Sequence, residues 1–324
     1  MILVAGSANL DFVVRASHIP LPGETVLGRD FQTFPGGKGA NQAIACARSG
    51  GAKTQMLLAL GSDAFSAPIE ASLRQANVAL KIVRCSNAPT GTAFICVSDA
   101  AENAITVAPG ANSQLRADDL PPLDDVDFLL MQLETPLDAV SQWAHRARAA
   151  NVTVVLNAAP AQTLPRALLD LIDILIVNEA ELQALVPGGA SISEMAGSLN
   201  VPCVVVTLGA RGCFAYSSQG AWVQPAFAVN AIDTTAAGDT FSGALIAALA
   251  ADKTLPEALR EASAAAALAC SRLGAQNSIP MRTEMLALLA AAGEAGAADE
   301  DANAALLRYV GATETTKAMK VDSQ

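Results

Sequence analysis

The feature of this sequence that most constrains its fold is a regular alternation of short apolar runs with segments of helical periodicity. Segments such as LDAVSQWAHRARAA (137–150) and EAELQALV (179–186) carry apolar residues at a 3.6-residue period. The apolar runs, rich in β-branched residues, lie at 2–6, 56–60, 128–133, 152–157, 173–178 and 203–209. A succession of strand, helix and strand predicts a central, mostly parallel sheet with helices on both faces. We therefore expect an α/β fold.

Two segments depart from this alternation and predict a second, smaller sheet. Residues 11–35 and 90–108 read as short strands and turns without helices, and the second segment is typical of a hairpin around Asp99 to Asn103. We expect them to form a small β-sheet lid beside the main sheet. No linker separates two cores, so residues 1–293 are predicted to be one domain with a lid.

The C-terminal residues 294–324 differ in composition from the rest of the chain. They are rich in alanine, acidic in their first part and low in residues that build a core. This composition predicts a weakly structured tail with a short helix at 302–309, to which the sequence assigns no function.

Composition limits the classes of function. The formal net charge of −11 and the lack of a basic cluster argue against nucleic acid as a partner. No apolar run is long enough to span a membrane, and the N-terminus lacks the features of a secretory signal, so we expect a cytoplasmic protein. The six cysteines are scattered, and His18 and His145 stand far from each other and from any cysteine, so no zinc or iron ligand set is visible.

The segment DTTAAGDTFSGAL (233–245) places three small residues and a carboxylate at the start of a predicted helix. The backbone amides of Ala236, Ala237 and Gly238 are expected to cluster at the positive end of that helix and to accept an anion. The same helix end favours the ionised form of Asp239, which could then accept a proton from a hydroxyl group. From local physics alone, a helix-capping role for Asp239 explains the pattern equally well.

The segment PGGKGANQAIACARSG (35–50) places a glycine pair before a second predicted helix, from about 40 to 49. Gly37 permits a ligand to approach the backbone closely, and Lys38 and Asn41 offer hydrogen bonds to a hydroxyl-rich substrate. A glycine pair before a helix is, by itself, more often only a turn. The sequence contains neither a P-loop nor a complete dinucleotide-binding glycine motif, so a bound nucleotide must be held in another way.

Several polar residues follow predicted strands, at the edge where open α/β sheets bind their ligands. They are Asn9 and Asp11, Glu134, Asn178 and Glu181, and the turn 207–212. Each could be an ordinary cap or turn residue, and it is their shared edge that favours a ligand site.

With these motifs, the chain resembles the ribokinase-like, or PfkB, family of carbohydrate kinases over about residues 2–290. Both signature regions of that family match, and so do four shorter motifs in order and spacing. The matching segments are GGKGANQA (36–43), DTTAAGDTFSGAL (233–245), GSxNxD (6–11), MQLE (131–134), NxxE (178–181) and GAQxSxP (274–280).

The resemblance implies ATP-dependent phosphorylation of D-ribose at its 5-hydroxyl to give D-ribose 5-phosphate. Asp239 would be the general base, and the amides of Ala236, Ala237 and Gly238 would stabilise the transferring phosphoryl group. The resemblance assigns the sugar hydroxyls to Asn9, Asp11, Gly37, Lys38, Asn41 and Glu134.

The resemblance also implies a nucleotide site and two cations. ATP would lie along Asn178, Thr207, Gly209, Arg211, Gly212, Gly238 and Ser263. Ser263 stands where many members of the family place His or Asn against adenine. Glu181 would help to hold Mg²⁺ through water, and K⁺ would be enclosed by Asp233, Thr235, the Ser278 region and the backbone carbonyls of Ala269, Arg272 and Gly274. In this family the lid also pairs two subunits, so a homodimer is expected.

Two alternatives stay open at this point. One is another sugar or nucleoside kinase of the same family, acting on deoxyribose, fructose, adenosine or pseudouridine; the other is a non-catalytic sugar-binding protein on this fold. The segment GGKGAN together with Asn9, Asp11 and Glu134 favours ribose. Asp239 and the intact spacing of the anion hole favour an enzyme.

Overall fold

The structure is a computed structural model that describes residues 1–100, 102–189, 191–294 and 300–312. Its strands are β1 (Ile2–Ala5), β2 (Asn9–Arg15), β3 (Arg29–Gly36), β4 (Thr54–Gly61), β5 (Ala79–Cys85), β6 (Gly91–Val97), β7 (Asn103–Ala108), β8 (Phe128–Met131), β9 (Thr153–Asn157), β10 (Ile174–Asn178), β11 (Cys203–Thr207), β12 (Gly212–Ser217) and β13 (Gly220–Pro225). Its helices are α1 (Lys38–Arg48), α2 (Ser66–Gln75), α3 (Leu137–Ala149), α4 (Arg166–Leu169), α5 (Glu179–Leu185), α6 (Ile192–Ser198), α7 (Ala237–Leu249), α8 (Leu255–Cys270), α9 (Arg282–Glu294) and α10 (Glu300–Val310).

The main sheet has nine strands in the order β13-β12-β11-β10-β9-β8-β1-β4-β5. The strands from β11 to β5 run parallel, and β12 and β13 are added antiparallel at one end. Separate apolar clusters cover the two faces of the sheet, which explains why its central strands are apolar along their whole length. All six apolar runs of the sequence form strands here, so the predicted α/β fold is confirmed.

Helices α1 and α7 pack closely through small residues. A Cβ atom at Gly243 would meet Ala45 and the backbone of α1, and one at Gly50 would meet Ala247. Glycine at these positions lets the two backbones approach each other, and the first turns of both helices therefore meet at one place. The two signature segments of the sequence are joined by this contact.

The predicted lid is a four-stranded sheet in the order β3-β2-β6-β7. Its strand β2 begins only four residues after β1 ends, so the small sheet continues directly from the carboxyl edge of the main one. On one of its faces, Phe12 stacks between Phe31 and Phe94. The small sheet confirms the lid expected from segments 11–35 and 90–108.

Helix α10 lies in the segment from 294 onward, for which the sequence predicts weak structure and a short helix at 302–309. It packs against β13, and Leu306 and Val310 are buried in the apolar cluster that contains Phe214 and Val223. The rest of that predicted tail, 295–299 and 313–324, lies outside the described residues.

In the described ranges, no helix combines the length and the apolar character that crossing a membrane requires.

Candidate active site

Asp239 lies in the first turn of α7 but does not cap it. The helix begins at Ala237, and the capping position belongs to Ala236, whose φ of 59° is left-handed. The Asp239 side chain is buried and accepts two hydrogen bonds from α1: Asn41 Nδ2 donates to Oδ2 and Gln42 Nε2 donates to Oδ1, each at 2.9 Å. The carboxylate is therefore held in place by a neighbouring helix, which an ordinary cap does not need.

A chain of buried amides fixes the orientation of the Gln42 side chain. Gln132 Nε2 donates to Gln42 Oε1 at 2.7 Å, and Gln42 Nε2 donates to Asn157 Oδ1 at 2.9 Å as well as to Asp239. Asn157 Nδ2 in turn donates to the carbonyl of Ile176. Gln42, Gln132 and Asn157 were not predicted from the sequence; Gln132 and Asn157 stand at the ends of apolar strands, where an ordinary core amide could also stand.

One of the three backbone amides predicted to accept an anion already has a hydrogen-bond acceptor in the protein. Ala237 N already donates to Thr234 O at 3.2 Å, whereas within the described residues the amides of Ala236, Gly238 and Asp239 have no protein acceptor. A Cβ atom at Gly238 would meet no atom of the described residues within 4 Å. No neighbouring atom therefore requires a glycine here, and the open space leaves its amide accessible to an anion.

Asp11 and Glu134 form a pair of carboxylates beside Asp239. Burial, reinforced by the charges of Glu134 and Asp239, raises the pKa of Asp11 to about 7. Glu134 Oε2 accepts hydrogen bonds from Ser7 Oγ at 2.6 Å and from the Lys38 amide at 3.1 Å. These two hydrogen bonds connect the loop after β1, the segment after β8 and the start of α1, as their shared sheet edge predicts.

Lys38 lies among three carboxylates without a direct ion pair in the described part of the chain. Burial by itself lowers the pKa of its ammonium group, but the charges of Asp239, Glu134 and Glu181 together raise it above the ordinary lysine value. Lys38 therefore keeps its positive charge at neutral pH, and its ammonium group is available to a ligand.

Asn9 is buried at the start of β2, and its amide is oriented by a residue that was not predicted from the sequence. Asn112 Nδ2 donates to Asn9 Oδ1 at 2.8 Å, while Asn112 Oδ1 accepts from the Ala8 amide at 3.0 Å. Asn112 belongs to a short 3-10 helix after β7, and nothing in its local sequence marks it as functional.

Two cavities of about 450 Å³ each meet at the loop before α7. Both are lined in part by Ala231 and Thr234. One is a polar cleft between the lid and the loops 231–235 and 273–275, and Asp11 faces it. The other is mostly apolar, and Gly238 contributes to its wall.

The apolar cavity brings together five of the seven residues predicted to contact ATP: Thr207, Gly209, Gly212, Gly238 and Ser263. Asn178 and Arg211 are outside its lining. Asn178 caps α5, and Arg211 Nη2 binds the two carboxylate oxygens of Glu179 at 2.6 and 2.8 Å. The Ser263 hydroxyl lies 3.7 Å from Cys213 Sγ at the base of the cavity.

Glu181, predicted to help hold Mg²⁺, forms a reciprocal cap with Asn178. Its Oε2 accepts from the Asn178 amide at 2.8 Å, and its own amide donates to Asn178 Oδ1 at 2.8 Å. Burial raises the pKa of Glu181 and the nearby Asp239 adds to this, although the Asn178 amide and Lys38 oppose the rise. Its Oε1, a hard oxygen of the type that Mg²⁺ prefers, accepts no hydrogen bond from the described residues.

The residues predicted to enclose K⁺ come from two loops that Asp233 joins. Asp233 Oδ1 accepts from the amide and hydroxyl of Thr235, and Oδ2 accepts from the Gly274 amide at 2.9 Å. Ser278 is buried and donates to the Ala275 carbonyl, and the Ala269 carbonyl accepts from the Arg272 amide. The atoms predicted to bind K⁺ are all oxygens, which suits a hard monovalent cation. Within the described ranges, no three His, Cys, Asp or Glu side chains cluster as a metal site of their own.

The chain matches known carbohydrate kinases along most of its length. Residues 1–282 match the model of the pfkB family carbohydrate kinases. The ribokinase of Haemophilus influenzae is 41% identical over 300 residues, covering 88% of this chain and 97% of that protein. The ribokinase of Bacillus subtilis is 36% identical over 293 residues, covering 89% of this chain and 99% of that protein.

Solved structures agree with these sequence matches. The crystal structure of ribokinase from Thermotoga maritima superposes with a TM-score of 0.84 at 36% identity, covering 89% of this chain and 99% of that one. The structure of Arabidopsis thaliana ribokinase complexed with ribose and ATP superposes with a TM-score of 0.82 at 34% identity, covering 89% and 98% of the two chains. The family resemblance stated from the sequence motifs is confirmed. The chain belongs to the PfkB family of carbohydrate kinases.

Proposed function

We propose that this protein transfers the γ-phosphoryl group of ATP to the 5-hydroxyl of D-ribose, giving D-ribose 5-phosphate and ADP. The observation that carries the proposal is the position of the first turn of α7. The Asp239 carboxylate lies there beside Lys38, Asp11 and Glu134, while Gly238 faces the apolar cavity. A proton acceptor and a phosphate-binding amide thus stand next to each other. The similarity to ribokinases from several organisms supports ribose as the sugar. One similar ribokinase was solved in complex with ribose and ATP.

In the proposed reaction, Asp239 accepts the proton of the 5-hydroxyl as its oxygen bonds to the γ-phosphorus. The bond between that phosphorus and the bridging oxygen of ADP breaks at the same time, and ADP leaves with the bonding electrons. The free amide of Gly238 donates to the phosphoryl oxygens, and the positive charge of Lys38 offsets the developing negative charge. The hydrogen bonds from Asn41 and Gln42 hold the carboxylate in position, so that one of its remaining lone pairs can receive the proton.

The other sugar hydroxyls are assigned to Asn9, Asp11, Asn41 and Glu134, with the backbone at Gly37. Carboxylates suit a polyol because each oxygen can accept from a hydroxyl. Asn41 Oδ1 is buried without a hydrogen-bond donor in the described residues, so a sugar hydroxyl would supply one.

The pKa of Asp11 gives a test of its role. In the ligand-free protein about one tenth of Asp11 is ionised at pH 6 and about nine tenths at pH 8, because its pKa is about 7. If its carboxylate binds the sugar, the Kd for ribose is about tenfold higher at pH 6 than at pH 8. Calorimetry of ribose binding measures this, and Asp11→Asn should bind more weakly with no such dependence. Equal wild-type affinity at both pH values would contradict the assignment.

We propose that ATP is bound with Mg²⁺ and that Glu181 holds the cation through water. The cation would neutralise phosphate charge. We also propose that Asp233, Thr235, Ser278 and the carbonyls of Ala269, Arg272 and Gly274 bind K⁺, since Asp233 joins the two loops that carry these oxygens.

The K⁺ proposal predicts that replacing K⁺ by Na⁺ at equal ionic strength lowers kcat severalfold. Na⁺ is smaller than K⁺ and reaches fewer of these oxygens at once, so the loops that hold Thr234 and the anion hole would be less well ordered. The Asp233→Asn variant should lose the difference between the two cations. Identical wild-type rates in K⁺ and Na⁺ would disprove an activating site.

We propose that two copies pair through the lid. Ile105 and Val107 are exposed on the edge strand β7, and their face of the small sheet also carries Asp11. Light scattering is expected to give twice the chain mass of 33.0 kDa for the wild type and a single chain for Ile105→Glu. Phe94→Glu, on the opposite face, should remain a dimer. A monomeric wild type, or dissociation caused by Phe94→Glu alone, would refute this interface.

The cytoplasmic location stays a prediction. All six cysteines are unpaired, which suits a reducing compartment. Fractionation of the native cells would test it.

The function is tested by a coupled ADP-release assay with ribose, 2-deoxyribose, fructose, adenosine and pseudouridine. Ribose is expected to give the highest kcat/KM. A higher value for another acceptor would assign a different kinase of the same family, and ribose binding without turnover of any acceptor would indicate a sugar-binding protein.

A further inference from the structure

Helix α10 lies beyond residue 282, where the match to the family model ends, yet it contacts Arg211, which stands in the turn that borders the nucleotide cavity. Its inner side is anchored by the buried Leu306 and Val310. At its C-terminal end Tyr309 remains half exposed and lies against Arg211. The contact joins a helix with no assigned role to a residue that the family resemblance places near ATP.

Three side chains form this contact, which we call the Arg211 clamp: Glu179, Arg211 and Tyr309. The Arg211 guanidinium carbon lies 4.2 Å from the centroid of the Tyr309 ring, a cation–π geometry. Arg211 Nη2 also contacts both carboxylate oxygens of Glu179, and the Tyr309 hydroxyl donates to Glu179 at 3.1 Å. Each member thus contacts the other two.

The clamp connects the turn that borders the nucleotide cavity to the start of α5. Arg211 stands in the turn between β11 and β12, where Gly209, Ala210 and Gly212 line the cavity. Gly209 and Gly212 have φ values of 57° and 115°, which glycine adopts readily. The backbone of this turn therefore has more conformational freedom than a turn built from other residues. Glu179 opens α5, between the proposed ATP and Mg²⁺ residues Asn178 and Glu181.

We propose that Tyr309 and Glu179 are positioning residues for nucleotide binding, which act through Arg211 on the turn 208–212. The clamp holds the turn from outside the cavity, so less conformational freedom is lost when a nucleotide binds. Helix α10 is therefore part of the nucleotide site although it does not line it. This inference rests on the proposed function, because ATP is the ligand concerned.

The test compares Tyr309→Leu with Tyr309→Phe. Loss of the ring is expected to raise the KM for ATP and the Kd for MgADP about fivefold, the factor for an exposed cation–π contact. The KM for ribose and kcat should stay within about twofold of the wild type. Tyr309→Phe keeps the ring over the guanidinium and should restore nucleotide affinity to within about twofold. Arg308→Ala, an exposed neighbour on the same turn, is the matched control and should change neither value.

The outcomes separate this inference from the proposed function. A wild type that binds MgADP without phosphorylating ribose would refute the proposed function but still permit the MgADP comparison. Unchanged MgADP affinity in Tyr309→Leu would overturn the clamp. The clamp would also be overturned if Tyr309→Leu weakened MgADP and ribose binding by the same factor and lowered the free energy of unfolding. Such a result would indicate general destabilisation.

Discussion

Replacing Asp239 by Asn is expected to lower kcat for ribose phosphorylation about 10³-fold, the size of a lost general base. An amide cannot accept the proton of the attacking hydroxyl, while the sugar contacts of Asp11 and Glu134 remain. The Kd for ribose, measured by calorimetry, should therefore change far less than kcat. Steady-state kinetics with ribose and ATP gives kcat.

The fold should tolerate this substitution. The introduced amide can keep its oxygen toward Gln42, whose side chain is fixed by Gln132, and turn its NH₂ group toward Asn41. Asn41 Oδ1 is buried and lacks a donor in the described residues, so an amide flip of Asn41 gives that NH₂ group an acceptor. Asp11→Asn is the matched control and should affect ribose affinity more than kcat. A kcat within about tenfold of the wild type in Asp239→Asn would contradict the assignment of the base.

Replacing Gly238 by Ala is expected to lower kcat/KM for ATP about 10²-fold, because a methyl group that keeps the phosphate away from the amide costs as much as losing an anion-stabilising donor. Among the described residues the added methyl group meets no atom within 4 Å, so it occupies open space beside the cavity that Gly238 lines. The methyl group should therefore interfere only with the binding of a phosphate and not with the fold. Steady-state kinetics at varied ATP and thermal unfolding measure the two effects.

Gly293→Ala is the matched control for this substitution. Gly293 is also helical, and a Cβ atom there would likewise meet nothing within 4 Å in the described part of the chain. Its replacement should leave kinetics unchanged and raise the free energy of unfolding by about 0.5–1 kcal/mol. If Gly238→Ala retained wild-type kcat/KM, or lost activity only because it unfolded, the amide at 238 would have no special role.

The layout of the fold follows from patterns that are local in sequence. Apolar runs such as 173–178 and 203–209 lack the alternation of polar and apolar residues that a strand with one solvent-exposed face shows. They form central strands that are covered on both faces. The shared sheet edge likewise predicts that the two signature segments lie near each other. Their close packing through glycine and alanine residues of α1 and α7 is visible only in the structure. The sequence pattern does not predict which polar atoms then contact each other.

The site residues that could not be predicted from the sequence are those defined by tertiary contacts. Gln132 and Asn157 end apolar strands, and nothing in their neighbourhood distinguishes a core amide from one that orients Gln42. Local physics also left two roles open for Asp239. The helix begins at Ala237 with Ala236 in the capping position, so Asp239 is not the cap, and the left-handed backbone of an alanine is not predictable from local sequence.

The packing of helix α10, at the other end of the chain, could not be predicted from the sequence either. Its alanine-rich, acidic composition predicts weak structure with a short helix at 302–309, and composition does not tell which residues of such a helix are buried. Leu306 and Val310 fall on one side of the helix and are buried against the outer strands. The contact between Tyr309 and Arg211 joins residues far apart in sequence, so it becomes visible only in the folded chain.

The central claim is the transfer of phosphate from ATP to the 5-hydroxyl of ribose, and NMR of the product tests it most directly. With ATP and ribose labelled with ¹³C at carbon 5, the predicted product shows a phosphomonoester signal and coupling between phosphorus and the labelled carbon. Phosphate coupled to another carbon, or an unphosphorylated sugar after complete incubation with the active enzyme, would contradict the claim.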